Sequence, residues 1–472
     1  MAGLSADEQR AIEVASRHSV EFRMRSDTDR VPPRDRSDSV EPGFRVQLSE
    51  TGSPAEVVIE EMVAASESGL HQMSSPNFFG YVLGGSHPAG VAADMLVSAW
   101  GQHAGSSFET PAIAAMERAV CDWSLDLLGL PSDCGVGIVT GATVANTQGV
   151  IAARHTLLAK QKWDVESNGL FGAPEIPVLI GDAAHSAPFA ALRYAGLGAR
   201  RVTRVAADAE GRIDPAAFNN ALKKCERPPL VILQAGQINS GAFDPFELLI
   251  PAVHDAGGWV HVDGAFGLWL AAVPELRDRL AGVELADSWA VDLHKWLNAP
   301  FDAALCIVRD RAPLVASMSA HGAYLPDPSD HWAPFDSTFE LSRRARGVPS
   351  YAIMKHLGKS GVRELVLRHC RLAEYLADEI AKFPGLQVLN EVACNQIAIA
   401  SEPGDRGDAK VKATLDIIQK RGRVYPSHGI WRGQQIIRVS IINYATQKEH
   451  IDLLIDELRA AWGKVQGQDE FS

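Results

Sequence analysis

Short apolar runs and amphipathic stretches take turns along the middle of this chain. Helical spacing reads at Pro88–Gln102 and Pro111–Leu128, the second opened by Thr110 as N-cap with Pro111 in the first turn. Next, VGIVT (136–140) predicts a strand and VANTQGVIAARHTLLAK a helix. The runs PVLIG, RRVTRV and LVILQA are each followed by a helical pattern: SAPFAALRYAG, DPAAFNNALKK and FELLIPAVHDAG. WVHVD, a short helix around Trp269, DSWAV and AALCIV complete the series. Strands this apolar are buried on both faces. Their alternation with helices predicts an α/β fold with a mainly parallel sheet.

The flanks read differently. A polar helix from Ala6 to about Arg25, an extended VPPRDRSDSVEPGF linker and a helix opened by Pro54 make an N-terminal arm, 1–86, that cannot bury much alone. The large domain spans 87–335. Its last part, 319–335, is Pro-rich and polar, the composition of a lid loop. From 336 to 472, helices and short strands (QVLNEV, NQIAIA, IIRVSI) predict a smaller α+β domain.

Composition narrows the class. With 472 residues, 46% of them hydrophobic, the chain can bury a large core. A net charge of −13 argues against nucleic acid or an anionic membrane as the main partner. Arg343, Arg344 and Arg346 form the densest basic group, and they read as structural. Six scattered cysteines without a CxxC pair, no membrane-length apolar run and no signal peptide in MAGLSADEQRAIEV predict a cytoplasmic protein.

The candidate chemistry sits at two strand ends. WVHVD ends in Asp263; DSWAV leads into Asp292-Leu293-His294-Lys295. Open parallel sheets bind ligands at the carboxyl ends of their strands. A lysine ending a strand is ordinary, as is an aspartate capping the next helix. A lysine and a carboxylate delivered to one crevice are what pyridoxal 5'-phosphate (PLP) requires: the amine forms the Schiff base, and the acid holds the pyridine nitrogen. The turn Thr140-Gly141-Ala142-Thr143, between strand and helix, can bring backbone amides to a phosphate. His185, after PVLIG, can stack on a flat ring. A zinc site built from His185, His261, Asp263 and His294 is the rival reading, although the spacing matches no recognised ligand motif.

The ordered set TGATVAN, DAAHSA, GAFDP, HVDGAFG and DLHKW resembles the pyridoxal-dependent decarboxylases of the group that includes aromatic-amino-acid and glutamate decarboxylases. The similarity runs from near Pro76 to near Thr446. It implies the PLP-dependent fold type I: a large domain with a seven-stranded sheet, a smaller C-terminal domain, and a homodimer whose active site lies at the interface. It also implies PLP-dependent decarboxylation of an L-amino acid to its amine and CO2. Lys295 matches the Schiff-base lysine, Asp263 the pyridine partner, Ala265 a small residue against the ring, and His185 the stacking histidine. Gly141, Ala142, Thr143 and His294 match the phosphate cradle, and Asp244 a supporting aspartate. Tyr324 matches the lid tyrosine that returns a proton to the substrate α-carbon.

Departures are visible too. Ile238 and Asn239 stand in a stretch that is Thr-rich in many family members, which leaves Asn239 as the polar contact there. Tyr81 is followed by Val82 rather than an aromatic residue; with His103 they are the candidate substrate contacts. Asp292 stands where many relatives have Asn, and repulsion from phosphate predicts that it points elsewhere. Other PLP chemistries on the same fold stay open, namely carbon–carbon lyase, aldehyde-forming decarboxylase/oxidase and aminotransferase, with Arg438 as the carboxylate grip of the last. A scaffold without catalysis would lack the Lys295, Asp263, His185 and Tyr324 set.

Overall fold

The computed structural model describes residues 3–319, 332–404 and 407–469. A two-residue strand, β1 (Phe78–Phe79), comes first. Seven further strands form the large sheet: β2 (Gly135–Val139), β3 (Val178–Gly181), β4 (Val202–Val205), β5 (Leu230–Gln234), β6 (Trp259–Asp263), β7 (Ser288–Asp292) and β8 (Ala304–Val308). Their order is β2-β8-β7-β6-β5-β3-β4. β3 to β7 pair in parallel, whereas β8 runs antiparallel to both β7 and β2. The segment 293–303 that joins β7 to β8 contains no helix to carry the chain back across the sheet, so β8 returns antiparallel.

Both sheet faces are covered. The Ala142–Lys160 helix lays Ala145, Val150, Ala152, Leu157 and Leu158 on one face, all fully buried. Phe218, Phe246, Trp269 and Trp289 fill the other. Each such side chain contributes roughly 1.5–3 kcal/mol by leaving water. The parallel strands therefore cannot shift, and Gln234, Asp263 and Asp292 end at one fixed edge.

In the smaller domain, β9 (Leu386–Val388), β10 (Gln396–Ser401), β11 (Tyr425–Trp431) and β12 (Gln434–Ser440) pair antiparallel. β1 adds in parallel to β11, so a piece of the N-terminal segment belongs to this sheet. The helix Gly347–Ile380 is kinked at Gly358, whose φ of 62° suits a residue without a Cβ. The arm helices Ala6–Met24 and Ala55–Ser66 are pinned by Asp7, whose carboxylate accepts from Ala55 N at 2.7 Å. Thr110 is the N-cap of the Pro111–Leu128 helix, as expected, but makes no side-chain capping bond: its hydroxyl donates to Ser106 O at 3.3 Å instead. Arg343, Arg344 and Arg346 pair with Glu117, Asp94 and Asp302, which is a structural use of charge.

Candidate active site

Lys295 follows β7 in the turn 293–298, and its Nζ lies 2.9 Å from Asp292 Oδ2. Around it, Asp263 and Asp292 lie within electrostatic reach of each other and of His185, and Arg438 within reach of His185. Burial raises the Asp263 carboxyl above its ordinary range, with His185 and Lys295 opposing that shift. Ala265 N donates to Asp263 Oδ1 at 3.3 Å, and Ala265 O accepts from Asp292 N at 2.8 Å. Ala265 thus joins the two strand ends.

His185 is the N-cap of the Ser186–Tyr194 helix. Its Nδ1 accepts from Ala187 N at 3.2 Å, which leaves the ring proton on Nε2. Burial lowers its pKa, the charge of Asp263 opposing. Its backbone N–H donates to Gln234 Oε1 at 3.2 Å, while Gln234 N donates to Asp244 Oδ2 at 2.7 Å. Asp244 Oδ1 also accepts from Ile213 N at 2.8 Å, and burial pushes this carboxyl up to about 7. Asp244 is therefore linked to His185 through Gln234, a residue the sequence did not single out.

Gly141 caps the Ala142–Lys160 helix with extended backbone, and no side chain of its own fills the space before Ala142 and Thr143. His294 accepts from Ala303 N on Nδ1 at 3.2 Å, so Nε2 carries a proton toward Asp292 Oδ1, 3.6 Å away. Asp292 does not point elsewhere. Its Oδ1 accepts from Ala142 N at 2.6 Å, because the helix N-terminus and Lys295 offer a buried carboxylate its nearest positive charge.

A second missed residue is Asn298, with φ of 58° and no exposure. Its Oδ1 accepts from Gly85 N at 2.7 Å and Tyr444 N at 3.0 Å; its Nδ2 donates to Ile442 O at 2.9 Å. One amide ties the lysine turn, the Gly84–Gly85 loop and the small domain together. A Cβ at Gly84 would run into the backbone oxygens of Lys295 and His294, so that loop packs directly behind the lysine.

Among the candidate substrate contacts, Tyr81 is half-exposed and its hydroxyl lies 3.0 Å from Tyr425 Oη. Arg438 sits near them with Nε buried and without a hydrogen-bond partner. Val82 is a correction: it has no exposed surface and packs in the large-domain core, so a substrate has nothing of it to touch. Asn239 lies in the 237–241 turn with its side-chain oxygen against Gly429, and its N–H donates to Gln237 Oε1 at 2.6 Å. His103 stands beside Glu109 at 3.9 Å, at a bridge to Arg344. Neither Asn239 nor His103 shares a hydrogen bond or ion pair with the lysine cluster among the contacts described. Tyr324 lies outside the described residues. The roots of its loop are tied by Ser319 Oγ to Asp336 (2.7 Å) and by Ser107 N to Trp332 O (3.0 Å).

His261 belongs to a different network. Its ring bonds Asn146 Oδ1 at 2.7 Å and Ser288 Oγ at 2.8 Å, which removes it from the zinc reading. Among the described residues no group of three His, Cys, Asp or Glu side chains is placed to hold a metal ion. The donor set does fit PLP: an amine, a buried carboxyl, an imidazole and a helix N-terminus converge at one sheet edge.

Comparison with known proteins agrees. The model of the "Pyridoxal-dependent decarboxylase conserved domain" matches residues 38–400. Tryptophan decarboxylase 2 of Oryza sativa subsp. japonica is 25% identical over 454 residues, covering 90% of each chain. Phenylacetaldehyde synthase of Arabidopsis thaliana is 24% identical, covering 92% of this chain and 90% of its own. Among solved structures, Oryza sativa TDC with PLP and tryptamine superposes with a TM-score of 0.91 at 22% identity, over 98% of this chain and 99% of that one.

Proposed function

The chain belongs to the pyridoxal-dependent decarboxylase family, and from that premise we propose how its own residues divide the work. The activity is PLP-dependent decarboxylation of an amino acid. When bound, PLP supplies the electron sink that takes up the electron pair left as CO2 departs.

Lys295 Nζ is the atom to hold the cofactor covalently. Asp263 stands to hold the pyridine nitrogen, fixed by Ala265 N, and His185 to present Nε2–H on the ring face. Arg438, buried with an unspent Nε, is the group to orient a carboxylate of the substrate. The Tyr81 and Tyr425 hydroxyls, 3.0 Å apart, stand near that guanidinium, Tyr81 within its electrostatic reach. Tyr324 is the group to donate the proton that the α-carbon needs. The observation that carries this reading is the convergence of Lys295, Asp263 and His185 at the edge of β6 and β7 in a family member.

A panel of L-amino acids, assayed for CO2 and amine together, tests it. Equimolar amine and CO2 from one of them is the expected result. A keto acid, or an aldehyde with O2 consumed, would assign the chain to another branch. The aldehyde reading is favoured by the phenylacetaldehyde synthases among its relatives. Tyr324→Phe separates the two. If Tyr324 is the acid, amine release falls roughly 10²-fold with PLP retained, and unchanged rate and products would remove it from the mechanism.

The assembly we infer is a homodimer. Val57, Val58 and Met62 on the arm and Met95, Leu96 and Trp100 on the Pro88–Trp100 helix are exposed apolar side chains suited to a second copy. Sedimentation showing a fully active monomer would refute this. A cytoplasmic location is supported by six free cysteines. No helix among the described residues is long and apolar enough to cross a membrane.

A further inference from the structure

One charge in the site works against the rest. A phosphate at the Ala142–Lys160 helix would bring negative charge to the amides of that N-terminus. Asp292 already sits there: Oδ1 holds Ala142 N–H at 2.6 Å, Oδ2 holds Lys295 Nζ at 2.9 Å, and only 2% of the residue is exposed. Its backbone is fixed at both ends, N–H to Ala265 O (2.8 Å) and C=O from Trp269 Nε1 (2.9 Å), so the carboxylate cannot leave by moving the strand. The charged or titratable groups around it are Lys295 and His294 from its own turn, Asp263 from β6 and His185 from the Ser186–Tyr194 helix.

We propose that Asp292 sets the strength of the phosphate grip by competing with the cofactor phosphate for the Ala142 amide. The inference rests on the reading of Gly141–Thr143 as the phosphate cradle. Its consequence is a division of labour unlike that of a neutral cradle. The aldehyde and ring ends of PLP, at Lys295 and Asp263, carry most of the holding. The phosphate end contributes less than a neutral side chain at 292 would allow. The cofactor is accordingly discriminated weakly from its unphosphorylated form, pyridoxal.

Asp292→Asn keeps an oxygen for Ala142 N–H and removes the charge. The measurements are PLP and pyridoxal affinity, from the visible band of the reconstituted protein, and inorganic phosphate affinity, from its competition with PLP. The ratio of PLP to pyridoxal affinity should rise about tenfold, and inorganic phosphate should bind more tightly. Asp292→Ser should move the ratio the same way, and urea midpoints establish that each variant is folded. An unmoved or lower ratio, or phosphate binding no tighter than in the wild type, overturns the proposal. A different result would sink the cradle itself: inorganic phosphate that does not compete with PLP even in the Asp292→Asn protein.

Discussion

Two buried ion pairs in this molecule have opposite characters. Glu117 and Arg343 are 1% and 2% exposed in their side chains, and both carboxylate oxygens are taken, at 3.2 and 2.5 Å, with Gly347 N adding a third bond at 3.3 Å. Nothing is left on the carboxylate for a ligand. Asp292 and Lys295 are also sheltered, yet Lys295 keeps 17% exposure, and Asp263 and His185 stand nearby, their side chains held only by bonds from backbone N–H groups among the contacts described. The first pair closes its charges on each other; the second leaves an amine reachable from the crevice. The structural pair is a bidentate one with both carboxylate oxygens engaged, although Arg343 Nε stays without a partner; the chemical pair leaves its amine accessible.

The sharpest way to break the comparison is Lys295→Ala. Activity should fall to background and the cofactor's visible band should vanish, with the fold intact by circular dichroism. A surviving band would put the anchor elsewhere. Glu117→Ala should do the reverse, costing about 3–5 kcal/mol in denaturant unfolding, because Arg343 is left buried without its partner. The PLP band of the folded fraction should be unchanged, and a variant as stable as the wild type would contradict the closed-pair reading.

Buried histidines sharpen the contrast through pH. Burial lowers His261 and His369 to about 3. Between their unfolded pKa of about 6.5 and that value, the unfolded chain takes up protons that the native protein refuses. Their stabilisation is therefore full above about pH 6.5 and is lost as pH falls toward 3, by a few kcal/mol. His369→Gln should flatten the acid limb of a plot of unfolding free energy against pH; an unaltered slope would show that another group sets it. Smallest of all, Arg344→Ala removes a half-exposed pair with Asp94 and should cost about 0–1 kcal/mol in the same denaturant experiment. A larger loss would mean that Arg344 belongs with Arg343.

The fold was legible because strands such as LVILQ and AALCIV are almost wholly apolar and helices are periodic between them. That pattern also fixes which residues end strands, and so brings Asp263 and Lys295 to one edge. Directions of side chains were not legible. Asp292 reads as repelled by phosphate until the helix dipole and the lysine are placed around it. Asn298 and Gln234 read as unremarkable polar residues, because their partners, Ile442, Tyr444 and Asp244, arrive from distant sequence. Tyr81 and Val82 both have φ of 58°, which neither side chain favours, so no local preference announced the bend that buries Val82 and presents Tyr81.

The single amide of Asn298 has a mechanical consequence. Since it clamps Ile442 and Tyr444 on one side and the lysine turn on the other, the aim of the amine is set in part by how the smaller domain seats against that turn.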